Sequence, residues 1–469
     1  MATHDLLIVG GGPGGEAAAL YGASAGLDVG LVEMHKVGGT CLHVGCIPAK
    51  ELLETAALVR HISHSKEFGI NVGEVALDFS VAQERKQAII DRLHKGLSGL
   101  LKNRNVTVYD GKGVFTGPST VQVSGGESGE VEVTGTHTVI ATGSSVRTIP
   151  GFDIDGTTVL TSDEVLALAE LPDDVAVIGG GAIGCEFASM LSDLGSNVTV
   201  LEAMPSILAG ADADIAKVVE RSFKKRKIKV VTNATISGHT PNDSGTTITY
   251  ADKSGNETRL EVDQIIVSVG RKPRTDGLGL SHTNVETDER GYVKVNEFCQ
   301  TNDPNIYAIG DVIPTAQLAH IAFAEGVLIV KHLLGESPIP IDYANVPWAI
   351  YCHPEVAFAG LTESAATEAG YDIVVSKHRY AGNGRALIVG ESEGMVKVIA
   401  EKRSDGTGGR IIGVHMAGPW VTEQLGQGYL AINWEATVDD VAQFIQPHPS
   451  FSELFGESVL ALTGRSIHG

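Results

Sequence analysis

Cys41 and Cys46 lie in the stretch Gly38–Lys50, with four residues between them, and are two of only five cysteines in 469 residues. Two thiols this close can open and close as a disulfide if one is held as a thiolate and the pair stays accessible. Pro48 has no N–H to donate and favours a helix start. The run from about Ala49 to His64 carries an apolar face through Leu52, Leu53, Ala56 and Ala57. Cys46 therefore falls near a helix N-terminus, where free N–H groups and the dipole favour a thiolate, and Lys50 shares its helix face four residues on. These surroundings point to a poised dithiol rather than a structural staple. Far along the chain, His448 stands between Pro447 and Pro449 with Glu453 five residues later. A carboxylate there can accept from one ring nitrogen and raise the basicity of the other. On spacing alone this is a weak candidate base, since most histidines are simply surface residues.

Such chemistry needs an electron carrier, and the chain repeats one kind of carrier site. Leu6-Leu7-Ile8-Val9 reads as a buried strand and runs into Gly10-Gly11-Gly12-Pro13-Gly14-Gly15, then an alanine-rich helix from about Glu16 to Ala25, then a strand from Asp28 to Val32 ending at Glu33. This is the dinucleotide pattern: Gly10 for the tight turn, Gly12 for close approach of a pyrophosphate, Gly15 for helix–strand packing, and an acid for ribose hydroxyls. Val175–Ile178, Gly179, Gly181, Gly184 and Glu202 repeat it, with the acid 18 residues after the third glycine in both copies. Two copies imply two dinucleotides. A carboxylate at Glu202 repels a 2′-phosphate, so the second site should prefer NAD over NADP.

Strands ending in small residues, Thr138–Gly143 and Gln264–Gly270, bracket the second copy, which reads as an insertion leaving near Pro150 and returning near Pro273. A helical region is expected from about Val81 to Lys102, and a hairpin turn over Ser124–Gly129. Asn305–Asp311 is a further strand ending in Gly-Asp. The basic run Arg221–Lys229 reads as a solvated helix end. From Pro347 onward, alternating segments such as Met395–Ala400 and Ile411–Met416 mix with helices, an α+β texture.

The net charge of −22 disfavours nucleic acid and anionic membranes as partners. Five cysteines do not make a secreted disulfide framework, no metal-ligating cluster stands out, and no apolar run reaches the length of a membrane span. With Met1–Asp5 leading straight into a strand, a cytoplasmic location is the expectation.

The motifs GGTCLHVGCIPAK (38–50), VSVGRKPRTDGLGL (267–280), YAIGDV (307–312) and HPSFSE (448–453), with the two glycine units, resemble the pyridine nucleotide-disulfide oxidoreductases in order and over nearly the whole chain. The resemblance implies an α/β architecture of two Rossmann-like domains, for FAD and NAD, plus a C-terminal α+β dimerisation domain. The implied division is FAD domain 1–149, inserted NAD domain 150–273, a central segment 274–346 completing the FAD domain, and 347–469 at a homodimer interface. It implies Cys41 as the thiol exchanging with substrate, Cys46 as the thiolate facing the flavin, and His448 of the partner subunit as base, oriented by Glu453. Gly10, Gly12, Gly15, Glu33, Lys50, Gly113, Asp311 and Ala319 match FAD positions. Gly179, Gly181, Gly184, Glu202 and Gly270 match NAD positions, with Glu186 pairing with Lys50.

Within the family the resemblance points to oxidation of dihydrolipoyl groups, carried by a separate protein of a 2-oxoacid dehydrogenase complex. The alternatives are an NADH-dependent reductase of another small disulfide and a non-catalytic flavoprotein sensor or scaffold, against which the full Cys41/Cys46/His448/Glu453 set weighs. Two departures stand out. Gln446 replaces a frequent histidine, and His43 replaces a common asparagine in the dithiol loop, where it is expected to be a tolerated spacer. Cys185, Cys299 and Cys352 are expected to be ordinary small residues.

Overall fold

In the computed structural model, residues 2–126, 129–242 and 245–468 are described; Glu127 and Ser128, inside the expected hairpin turn, lie outside them. The strand Ala2–Val9 buries Leu6, Leu7 and Ile8 completely, because as the central strand of a parallel sheet it is covered on both faces. It pairs in parallel with Val29–Glu33 on one side and Val131–Ile140 on the other, and Thr107–Asp110 extends the sheet beyond Val29–Glu33. The far end of Val131–Ile140 binds Ile306–Ala308, so a strand from much later in the chain completes this first sheet. The near end carries the antiparallel strands Thr120–Ser124 and Lys112–Gly117.

The second glycine unit builds the same pattern. Its parallel sheet runs in the order Lys229–Val231, Asn197–Leu201, Asp174–Ile178, Gln264–Val267 and Val159–Leu160. A three-stranded antiparallel sheet, Thr235–Asn242, Gly245–Ala251 and Glu257–Val262, packs on it around Ile248 and Tyr250. The outgoing and returning chain segments hold each other: Ser144–Val146 pairs antiparallel with Arg271–Pro273, extended by Arg147 N–H to Gly270 O at 2.9 Å and Arg274 N–H to Gly143 O at 2.9 Å.

The C-terminal region forms an antiparallel sheet of Trp348–Ile350, Glu355–Gly360, Gly408–Gly418, Met395–Lys402 and Ile373–Arg379. Helices Val421–Asn433 and Glu453–Leu462 cover it around a core of Val398, Val414, Leu425 and Phe455. Among the described residues no helix is long and apolar enough to cross a membrane.

The dithiol segment differs from expectation at its boundary. Gly39–Val44 is a short helix, Gly45 breaks it with φ −146° and ψ −111°, and the long helix runs Cys46–Ser63 instead of starting at Ala49. Pro48 fits inside this first turn because the first four N–H groups of a helix lack intrahelical partners anyway. Cys46 is thus the first helical residue.

Most of the basic run is solvated as expected, with Arg221, Lys224, Lys225, Lys227 and Lys229 exposed, and one residue departs. Arg226 is not solvated: its partly buried guanidinium is ion-paired to Asp193 at 2.7 Å and donates to Ser189 O at 2.8 Å and His353 O at 2.9 Å. Arg60 of the dithiol helix binds the same Asp193 at 2.5 Å. This ties the inserted unit to both the dithiol helix and the C-terminal sheet. Lys397 makes a second buried tie, with Asp212 at 2.8 Å, Asp214 at 2.9 Å and Glu363 at 2.6 Å.

Candidate active site

A single cavity of about 2240 Å³ runs past both glycine loops and the dithiol segment. That is two to seven times the usual size of a small-ligand pocket, room for two dinucleotides in one continuous space. The cavity wall explains the glycines. Gly10 has φ +110°, and a Cβ there would sit 2.3 Å from Ala141 O. Its counterpart Gly179 has φ +104°, and its Cβ would sit 2.5 Å from Ser268 O. A Cβ on Gly15 would lie 1.9 Å from Gly10 O, and one on Gly184 the same 1.9 Å from Gly179 O, so only glycine lets each helix start against its strand. Gly12 and Gly181 precede helices Pro13–Ser24 and Ala182–Asp193, whose N-termini face the cavity and suit a pyrophosphate.

The acids are held in place the same way in both units. Glu33 accepts from Gly11 N–H at 2.7 Å and His35 N–H at 2.8 Å; Glu202 accepts from Gly180 N–H at 2.5 Å and Met204 N–H at 2.6 Å. Both line the cavity, as do Gly113, Gly270, Asp311 and Ala319, the last opening helix Ala319–Leu333. The donor sets fit two dinucleotides.

Between the loops lie the thiols. Cys41 and Cys46 are unbonded here and both line the cavity. A hydrogen bond from Cys41 pulls Cys46 down to about 7, outweighing its burial, with the Lys50 ammonium helping. The same hydrogen bond, with burial, pushes the Cys41 thiol far up. The shared hydrogen bond and the Lys50 ammonium thus bias the pair toward a Cys46 thiolate that accepts from the Cys41 thiol. Lys50 Nζ binds both Glu186 oxygens, at 3.0 and 2.9 Å. Burial would discharge Lys50, but Glu186 reverses that and keeps it a cation.

His448 Nδ1 is 2.7 Å from Glu453 Oε1, and Ser450 N–H donates to the other oxygen at 2.7 Å. Burial would raise the Glu453 carboxyl, but these hydrogen bonds outweigh it and hold it low. The His448 side chain is 79% exposed and does not line the cavity, so within one chain the histidine and the cysteines are not brought together. Its bond to Pro449 is cis.

His43 Nε2 donates to Val37 O at 2.9 Å beside the His94 ring, 5.1 Å away. Gln446 Nε2 donates to Gln427 at 3.2 Å. Cys185, Cys299 and Cys352 are all buried.

Three cavity residues escaped the sequence reading: Ser144, Arg271 and Tyr351. Ser144 Oγ donates to Asp311 at 2.5 Å and accepts from Arg271 Nε at 2.7 Å. Arg271 directly follows Gly270, which was the available signal. Nothing local marks Ser144, whose partners are more than a hundred residues away.

Fold and site define an α/β redox protein with two dinucleotide units and a thiol–thiolate pair between them. The chain matches the family model of pyridine nucleotide-disulphide oxidoreductases over residues 4–326 and that family's dimerisation domain over 346–459, and it belongs to this family. It is an oxidoreductase whose cofactors are FAD and NAD, and the dimerisation domain makes a homodimer its expected assembly. A dihydrolipoyl dehydrogenase of Bacillus subtilis (strain 168) is 42% identical over 100% of both chains. The mitochondrial dihydrolipoyl dehydrogenase of Pisum sativum is 38% identical, covering 99% of this chain and 92% of its own. Among solved structures, LpdA from Mycobacterium tuberculosis superposes with a TM-score of 0.90 at 25% identity, over 98% of this chain and 100% of its own. The HOCl-induced flavoprotein disulfide reductase RclA from Escherichia coli superposes with a TM-score of 0.85 at 28% identity, over 98% and 99%.

Proposed function

We propose that this protein is a dihydrolipoyl dehydrogenase, oxidising dihydrolipoyl groups to the cyclic disulfide. The observation carrying the reading is the Cys41–Cys46 pair, with Cys46 opening the helix that carries Lys50, set in one cavity with two dinucleotide loops. In this reading the FAD domain is 1–149 completed by 274–346, the NAD domain is 150–273, and 347–469 is the dimer interface. Gly10, Gly12, Gly15, Glu33, Lys50, Gly113, Asp311 and Ala319 hold FAD; Gly179, Gly181, Gly184, Glu202 and Gly270 hold NAD. Bound FAD supplies the two-electron carrier and NAD the final hydride acceptor.

The thiol steps belong to this chain's own residues. His448 of the partner subunit takes a proton from one substrate thiol, and Glu453, receiving the opposite ring N–H, stabilises the imidazolium. The substrate thiolate attacks Cys41 Sγ of the disulfide, forming a mixed disulfide and expelling Cys46 as a thiolate. With its pKa pulled down to about 7, Cys46 is the better leaving sulfur, and Lys50 stabilises the charge. The second substrate thiol, losing its own proton, attacks the sulfur bound to Cys41; the cyclic disulfide departs and Cys41 takes a proton. Substrate has then lost two electrons, and the protein holds Cys41 as a thiol and Cys46 as a thiolate, the direction in which their hydrogen bond and Lys50 bias the pair.

The names of the Bacillus and pea relatives support the substrate, and the natural partner is then the lipoyl-bearing protein of a 2-oxoacid dehydrogenase complex in the cytoplasm. The flavoprotein disulfide reductase among the structural neighbours keeps a second reading in view, an NADH-dependent reductase of another small disulfide. Steady-state turnover of dihydrolipoamide with NAD, set against NADH with small disulfides, tests the choice. Dihydrolipoamide should be the faster substrate by orders of magnitude; no turnover of it would overturn the proposal.

A further inference from the structure

Tyr351 follows strand Trp348–Ile350 of the C-terminal sheet, yet it lines the cavity beside the dithiol. Its N–H donates to Glu186 Oε1 at 2.8 Å, the oxygen that Lys50 Nζ reaches at 3.0 Å. Its ring lies 4.9 Å from the same Nζ. The Lys50 ammonium is therefore held by a carboxylate and by an aromatic face, and the residue supplying the face also fixes the carboxylate. Three separate stretches of chain converge on one cation: the dithiol helix, helix Ala182–Asp193 and the C-terminal sheet.

A lysine stem has four rotatable bonds, and one salt bridge leaves its head free to swing about the carboxylate. An aromatic face adds direction, since a cation is attracted to the ring's centre and a partly desolvated pair is stronger than an exposed one. The charged and titratable groups facing Lys50 are Glu186, Cys46 and Tyr351; those facing Cys46 are Cys41, Lys50 and Glu186. Of these, Lys50 and the Cys41 hydrogen bond favour the Cys46 thiolate, whereas Glu186 opposes it. A lysine free to rotate about Glu186 would leave that opposition uncompensated.

We propose that Tyr351 is a positioning residue of the dithiol centre: its ring holds the Lys50 ammonium against Glu186, where its charge acts on Cys46, and so sustains the Cys46 thiolate. This rests on the reading that Cys46 is the thiolate facing the flavin. It also makes the C-terminal region a contributor to the redox centre of its own chain, besides its part in the dimer.

The test is the long-wavelength thiolate–flavin charge-transfer absorbance of the FAD-loaded homodimer, reduced by two electrons with dithionite and titrated with pH. Tyr351→Leu should move the midpoint up by about one pH unit, a roughly tenfold smaller thiolate-to-thiol ratio at any pH. Tyr351→Phe and Tyr351→Trp keep an aromatic face and should titrate like the unsubstituted protein. If Tyr351→Leu loses FAD, Tyr351→Met, which fills similar space without a π face, should show the same shift. An unmoved midpoint in the leucine or methionine variant overturns the proposal, and so does a phenylalanine variant that shifts as far as leucine. Dihydrolipoamide turnover is not part of this readout, so a failed substrate assignment would be seen separately.

Discussion

The two glycine units are near copies in backbone geometry, yet their surroundings differ. Both first glycines have positive φ, both third glycines would clash at 1.9 Å, and both acids accept from the N–H directly after the first glycine, Gly11 or Gly180. At the middle glycine they part. A Cβ on Gly12 would come within 4.0 Å of Gly39 Cα, at the start of the dithiol segment, whereas one on Gly181 would meet nothing within 4 Å. Both loops line the cavity, but Gly39 of the dithiol segment closes on the first, and a Cβ there would lie 2.7 Å from Gly12 Cα, whereas nothing lies as near the middle glycine of the second. In the reading proposed above, the first loop would then hold a cofactor that stays and the second a cofactor that exchanges.

Removing the tie that holds the second unit in place should have the largest effect. Lys397→Met leaves Asp212, 1% exposed, without its cation and should cost about 3–5 kcal/mol in denaturant unfolding. The pH dependence has a defined sign. Lys377 and Lys397 pull Asp214 down to about 2, so its stabilising contribution is present above the usual carboxylate pKa of 3.8 and is lost as pH falls through about 2. The gap between the unsubstituted protein and Lys397→Met should narrow over that window.

The third glycines come next. Gly15→Ala and Gly184→Ala force the same overlap, costing about 1–3 kcal/mol locally. Gly15→Ala should purify without FAD, whereas Gly184→Ala should keep its yellow flavin and bind NAD about 10- to 100-fold more weakly, read by absorbance and titration. Equal loss of flavin from both would erase the distinction.

A smaller effect is expected at the acids. Glu202→Gln should weaken NAD about tenfold and narrow its lead over NADPH, since a repelling charge is gone. Glu33→Gln should leave that preference untouched. The smallest effect lies in the dithiol segment itself. With Cys46 near 7, about half its thiolate should be lost on going down to pH 7, followed by charge-transfer absorbance.

Much of this was legible because it is local. Glycine turns, buried strands and acids at fixed spacing depend on neighbours a few residues away, and both units stand where the sequence places them. The division of labour between the cysteines was different. Helix position favours Cys46, but the contact that sets the two thiols apart is Cys41's own hydrogen bond, made across the break at Gly45 between two helices. Arg226 was misread because a basic residue past a helix end is normally solvated; its partner Asp193 and acceptor His353 come from distant elements. Tyr351 and Ser144 were invisible for the same reason. Tertiary convergence leaves no period in the sequence.

The contrast between the two loops can be measured on the intact protein. Homodimer saturated with FAD and NAD is passed through a size-exclusion column in buffer lacking both, and nucleotide per chain is then quantified. One FAD per chain should co-elute with no NAD. NAD retained in equal amount, or FAD stripped as readily as NAD, would contradict the assignment of the first loop to the resident cofactor.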